Sequence, residues 1–326
     1  MKVFVAGATG ALGRQLLPGL VADGHEVVGM TRSTEKRDLI RQLGARPVVA
    51  DALDPEAVAQ AVANTEPEAV IHQLTAIDAG SFSRSLDRSF AQTNRLRTEG
   101  TDHLLAAARA VGAKRFIAQS FAGWPFERTG EWIKTEEEPL QERPPKTVSH
   151  TLAAIRHVEQ TVTRAEGIEG LALRYGGFYG PGTSISVDPD GEQVTMIRKR
   201  RLPIVGNGAG MWSLVHIEDA AAATVAAVSR GEPGLYNVVD DEPAPVSAVV
   251  PELAAAIGAK PPWHIPRWLG RLLAGEGMTV MMTEVRGASN AKAKLELGWD
   301  LRYPSWRLGF RDGLRAADKT TVGSPA

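Results

Sequence analysis

Chemistry is first legible at Gly7-Ala8-Thr9-Gly10-Ala11-Leu12-Gly13, which follows a short β-prone run and opens a helical pattern. Glycines at this spacing serve a tight turn, close approach of backbone to a pyrophosphate, and close packing of helix on strand, while the helix N-terminus faces an anion. A dinucleotide is the ligand such a turn fits. At the end of the second strand, where an NAD site places a carboxylate on the ribose 2′-hydroxyl, the chain reads Gly29-Met30-Thr31-Arg32-Ser33 and offers no acid. Arg32, with Ser33 or Lys36 beside it, is suited to clamp a 2′-phosphate bidentately, which places NADP ahead of NAD. Asp51, just after the third strand, can accept from the adenine amino group or act as a turn residue. With no cysteine in the chain there is no disulfide, no thiolate nucleophile and no Cys-ligated metal, and no metal site is expected.

Further motifs follow along the chain: Val70-Ile71-His72, Gly100-Thr101 with Leu104-Leu105 and Ala107-Ala108, Arg174 leading to Tyr179-Gly180-Pro181-Gly182, Val215-His216-Ile217 with Asp219-Ala220-Ala221, and Leu297-Gly298-Trp299. Together with the glycine turn, and over nearly its whole length, the chain resembles the extended short-chain dehydrogenase/reductases, in their NAD(P)-dependent epimerase/dehydratase-like branch. The resemblance implies a Rossmann-type domain holding a nicotinamide dinucleotide and a smaller C-terminal domain that selects a small-molecule substrate. It implies cofactor contacts at Gly7, Thr9, Gly10, Ala11, Leu12, Gly13, Arg32, Asp51, Ala52, Leu74 and Gly177, with Gly176 and Gly177 leaving open backbone beside the nicotinamide. His72 and His216 fall within framework motifs. By analogy, a homodimer would pack the long helices ending near Val111 and Ala165.

The departures from the family are chemical. Its members use a Tyr whose phenol is made more acidic by a Lys four residues later, because hydride transfer to a carbonyl needs a proton at the same moment. The four tyrosines, Tyr175, Tyr179, Tyr236 and Tyr303, are followed at that spacing by Tyr179, Thr183, Asp240 and Arg307. Aligning Glu159 with the acidic residue that commonly follows the lysine puts Ile155 at the lysine position and Thr151 at the tyrosine position, and a threonine hydroxyl is far too weak an acid. The companion hydroxyl is met only by Ser120 in Gln119-Ser120-Phe121, one residue early. Tyr175, at the carboxyl end of a strand, is the first candidate for the missing acid, and His150, beside Thr151, is the second. Trp212 stands where nucleotide-sugar enzymes carry an Arg on the diphosphate, which favours a less charged, aromatic or lipophilic substrate held by Trp212, Phe121 and Thr151.

The elements that must position these residues alternate: strand at Lys2 to Ala6, helix at Leu12 to Asp23, strand at His25 to Met30, and so on to a helix at Thr151 to Ala165 and a strand at Ile168 to Arg174. That order demands an α/β fold, a doubly wound parallel sheet with helices on both faces. A Rossmann unit over 1–175 is expected to be rejoined by about 212–238, through a strand from Trp212 to His216 and a helix from Asp219 to Val228. Residues 176–211 and 239–315 then form a smaller α+β substrate domain, and 316–326 a frayed tail. Lys plus Arg number 37 against 38 Asp plus Glu, and 43% of the 326 residues are apolar. Such a chain has core enough for roughly two units, no global field for nucleic acid and no apolar run of the ~18 residues a membrane span needs. Its start, Met-Lys-Val-Phe-Val-Ala-Gly, meets a glycine before a signal core develops, so a cytoplasmic protein is expected. Three functions fit: an atypical NADP-dependent oxidoreductase or epimerase-like enzyme, a non-redox lyase or isomerase on the same fold, and a catalytically silent dinucleotide sensor.

Overall fold

The computed structural model describes residues 1–77, 86–189 and 191–315. Its first half runs β1 (Lys2–Ala6), α1 (Ala11–Ala22), β2 (Glu26–Thr31), α2 (Arg37–Gln42), β3 (Arg46–Val49), α3 (Pro55–Ala63), β4 (Ala69–His72), α4 (Leu86–Ser89), α5 (Ala91–Ala110), β5 (Arg115–Phe121), β6 (Ile133–Lys134), α6 (Ser149–Thr163) and β7 (Glu169–Tyr175). Local signals set many boundaries. Asp54 caps α3 through the amides of Glu56 and Ala57, with Pro55 in the first helical turn, where its missing N–H costs nothing.

The second half supplies β8 (Gly177–Tyr179), α7 (Glu192–Arg198), β9 (Ile204–Val205), β10 (Met211–Trp212), β11 (Leu214–His216), α8 (Ile217–Ala226), β12 (Gly234–Val238), β13 (Ala244–Pro245), α9 (Val246–Ala256), β14 (His264–Ile265), α10 (Arg267–Thr283), β15 (Gly287–Ala288), α11 (Ala291–Leu297) and α12 (Trp306–Asp312).

Seven strands form one parallel sheet in the order β12-β7-β5-β4-β1-β2-β3. Alternation within each strand feeds two cores. Val3 and Val5 of β1 face one side with Leu16, Leu17 and Ile71, while Phe4 and Ala6 face the other with Val70, Leu104 and Phe116. The chain turns from one half of the sheet to the other between β1 and β4, and ligands of such folds bind outside the carboxyl ends of the strands at that point.

One expectation is corrected here. Helix α8 packs on α1, against the face of the large sheet, but the strand ahead of it does not join that sheet. Leu214–His216 pairs in parallel with Gly177–Tyr179, and Trp212 pairs with Ala244 across β10 and β13. The place beside β7 is taken by β12, with Leu235 to Val238 opposite Ala172 to Tyr175. The reason lies in Gly176: it turns the chain off β7 so closely that an added Cβ would lie 2.6 Å from the Ser213 carbonyl oxygen, and this steers β8 onto β11.

Candidate active site

The glycine turn closes as its spacing requires. Gly7 has φ +95°, and a Cβ there would lie 2.6 Å from the Gln73 carbonyl oxygen at the end of β4. A Cβ on Gly13 would lie 2.4 Å from the Gly7 oxygen, so α1 can approach β1 only through glycine. Gly10 differs, because its nearest neighbour would be 3.4 Å away; the space beside it is open to a ligand. Gly10 caps α1 with no side-chain bond, the first turn holds no acid, and the amides of Ala11, Leu12 and Gly13 have no acceptor four residues back within the helix. This is a cradle for a diphosphate. Thr9 flanks it, its carbonyl accepting from Arg14 Nε at 3.1 Å. Nearby at the same sheet edge, Gln73 Oε1 and Asn94 Oδ1 are buried without a hydrogen-bond partner, so the residues present fit a nicotinamide dinucleotide.

Arg32 stands exposed immediately after β2. Ser33 is less free than its position implies, since its hydroxyl donates to Glu35. One oxygen of Asp51 accepts from the Leu53 amide at 3.0 Å, the turn role, and Ala52 is buried with its carbonyl on His103 Nδ1. Leu74 is tied from both ends, its amide donating to His72 Nδ1 and its carbonyl accepting from Gln119 Nε2. Gly177 departs from the expected open backbone: its amide donates to the Ser213 carbonyl, and an added Cβ would press Leu214 Cδ2 at 3.0 Å.

The structure engages Tyr175 and Ser120 elsewhere and leaves His150 exposed. Tyr175 points to the face under α1 and α8, 2% exposed, its hydroxyl accepting from Gln73 Nε2 at 3.0 Å and sharing a 2.7 Å hydrogen bond with Thr224 Oγ1. Burial pushes its pKa well above that of a free phenol. It is a packed aromatic whose polar end is satisfied. Ser120 points to the opposite face and donates to Glu159 Oε1 at 2.6 Å, inside a buried network in which Glu159 grips Arg174 through two bonds of 2.7 and 2.8 Å. Its hydroxyl serves that ion pair. His150 is exposed at the start of α6, its amide on Asp87 Oδ2, and its side chain is outside the cavity described below.

Thr151 is held by a group sequence reasoning missed. Asp87, on α4, accepts from the amides of His150 and Thr151 and from the Thr151 hydroxyl, capping α6 from a neighbouring element, while Asn94 Nδ2 donates to the same hydroxyl. The Thr151 hydroxyl proton is thus committed to Asp87. Ile155, a turn later, is buried with Ala122, Phe126, Leu140 and Leu152. Beside the start of α6 lies a small cavity lined by Trp124, Arg128, Gln141, Pro145, Thr147 and Val148 from one side and by Glu276, Gly277, Val280 and Met281 of α10 from the other. Phe121 packs beside it, 6.5 Å from the Trp124 ring. Trp212 stands behind, its indole donating to the Met281 carbonyl at 2.9 Å. Trp124 and α10 carried no sequence signal of chemistry, because a ring or methyl group lining a site is indistinguishable in composition from one lining a core.

The model of the NAD dependent epimerase/dehydratase family matches residues 3–238. The chain belongs to that family. Within reach of it, a 3-diazoavenalumate denitrifying reductase of Streptomyces sp. is 43% identical over 313 residues, 95% of this chain and 99% of the relative. A 2-alkyl-3-oxoalkanoate reductase of Stenotrophomonas maltophilia is 32% identical over 79% of this chain and 76% of its own. Among solved structures, UDP-glucose 4-epimerase of Thermotoga maritima shares the fold with a TM-score of 0.76 at 20% identity, over 96% of this chain and 97% of that one. The family and these reductases make the protein an enzyme of oxidoreductase or epimerase-like type with a nicotinamide dinucleotide cofactor. Among the described residues no helix is long and apolar enough to cross a membrane.

Proposed function

We propose that the protein is an NADP-dependent reductase whose hydride acceptor is a diazo-arene, an aromatic ring that already carries the positive charge a carbonyl must acquire from a proton. The observation that carries this reading is the state of Thr151 and Ile155: the first donates its hydroxyl proton to Asp87, and the second is packed in apolar surroundings. Neither delivers a proton. A reduced nicotinamide supplies hydride when bound. A carbonyl that takes hydride becomes an alkoxide and needs an acid at once, whereas an aryl diazonium that takes hydride at its outer nitrogen becomes a neutral aryldiazene. The aryldiazene then loses dinitrogen as its own N–H proton passes, through water, to the ring carbon. Diazonium and hydride give arene and dinitrogen, and no proton is drawn from the protein.

The chain's own residues bind and orient. The amides of Ala11, Leu12 and Gly13 receive the diphosphate, and Arg32 the 2′-phosphate. Trp124, Val148, Val280 and Met281, with Phe121 and Trp212 behind them, give the apolar part of the wall of a cavity of about 20 Å³, which must widen to admit a ring. The Streptomyces relative acts, by its name, on a diazo compound. The test sets an aryl diazonium against the aryl methyl ketone of the same ring, with NADPH followed by absorbance. Oxidation with the diazonium and none with the ketone is expected. Comparable reduction of the ketone would show a proton donor in the site and overturn the reading. Arg32→Ala should weaken NADPH by about tenfold or more and leave NADH unchanged, since a charge-assisted contact is worth roughly 1.5–3 kcal/mol. Equal loss for both would remove the 2′-phosphate clamp.

A further inference from the structure

Arg97 is a buried charge outside the cofactor cradle and the cavity. It lies on the inner face of α5, between Thr93 and Thr101, and is 5% exposed. Among the described residues its Nε has no hydrogen-bond partner, burial lowers its pKa, and no carboxylate acts to raise it. Among the described residues, Asp87 is committed to the start of α6, and Glu159 to Arg174 and Ser120. His72, close enough for the Arg97 charge to disfavour its protonation, is neutral, its ring bonded to the Leu74 amide and the Leu96 carbonyl. A guanidinium taken from water without a counter-ion is strongly penalised unless a ligand completes it.

Direction identifies that ligand. The N-terminus of α5 lies at the carboxyl edge of the sheet, where Thr93 Oγ1 accepts from the Ala76 amide and Asn94 reaches Thr151. Side chains of a helix lean toward its N-terminus, so Arg97 leans toward the same edge. The anionic groups of a dinucleotide have their own partners on the other side of β1, at the start of α1 and at Arg32. We propose that Arg97 binds a carboxylate carried by the arene that the site reduces; that the ligand is the substrate rests on the reductase reading above. The arrangement leaves the cationic acceptor end free of Arg97, which would repel it, and fixes the molecule by its opposite end.

The test measures binding, not turnover. Protein saturated with NADP+ is titrated calorimetrically with 4-hydroxycinnamate and with its methyl ester, in the wild type and in Arg97→Met. The wild type is expected to prefer the acid by about tenfold, the worth of one charge-assisted contact. In Arg97→Met that preference should vanish, with NADP+ affinity unchanged and the thermal midpoint of the ligand-free protein raised, because an uncompensated buried charge is gone. A preference that survives the substitution, equal binding of acid and ester by the wild type, or a loss of NADP+ affinity instead, would overturn the proposal. Should Arg97→Met not fold, Arg97→Gln is read by the same outcomes. The two readings fail separately: the acid preference without oxidation of NADPH by any diazo-arene keeps the anion site and discards the reductase, and the reverse result discards the Arg97 site alone.

Discussion

Gly7 and Gly10 look alike in the sequence and do different work. Gly7 holds φ +95° against the Gln73 carbonyl, so Gly7→Ala is expected to cost about 1–3 kcal/mol or more in stability, seen as a lowered denaturation midpoint. Gly10→Ala has room in the free protein and should leave that midpoint nearly unchanged while weakening dinucleotide binding. Two buried groups give stability an opposed dependence on pH. Burial lowers the His72 pKa to about 4, so the folded state resists protonation and loses stability as pH falls through the range from the ordinary histidine value to about 4. Burial raises the Asp240 pKa to about 8, so the folded state keeps a proton that the unfolded chain releases near the ordinary carboxylate value, and stability declines as pH rises toward about 8. Above the histidine value only the Asp240 slope remains of the two. Asp240→Asn should flatten it, and thermal midpoints of wild type and variant, measured from pH 6.5 to 8, check this. The turn was legible because its three glycines act within seven residues of one another. Tyr175 and Ser120 were misread because their partners lie far along the chain, at Gln73, Thr224 and Glu159, and the direction each side chain takes off its strand is fixed only by those contacts.

Elements were legible where a period ran long enough to count. The alternation of short apolar strands with amphipathic helices up to Tyr175 gives a parallel sheet by chain connectivity alone. The short strands after it fail that method: β8, β10 and β11 contain two or three residues each, and whether such a piece joins the large sheet depends on how Gly176 turns the chain rather than on its own composition. The start of α6 shows a related gap, since Asp87, which caps it, belongs to α4. Its removal tests the element directly. Asp87→Ala should cost about 1 kcal/mol, the usual worth of a helix cap, and lower the midpoint of denaturant unfolding without changing the slope. An unchanged midpoint would show that water replaces the carboxylate without loss.

At the scale of the molecule, a wall of the candidate site comes from α10, more than a hundred residues beyond the helix it faces. Nothing local in Gly277, Val280 or Met281 announces that position; the fold brings them there. The same fold places the glycine turn at the start of α1 on one side of β1 and, on the other, the buried Arg97, whose Nε has no partner among the described residues, with a small cavity near the start of α6. On the proposed reading the enzyme holds a cofactor and an aromatic substrate, and neither Thr151 nor Ile155 supplies the substrate with a proton. On that reading hydride moves without a proton moving beside it. The most direct measurement is a single turnover with a diazo-arene and NADPH, comparing NADPH deuterated at the transferring position in ordinary water with unlabelled NADPH in heavy water, so that product release does not mask the step. Slowing by the labelled cofactor with no slowing by heavy water is the predicted result. Slowing by both would place a proton transfer in the same transition state and contradict the account.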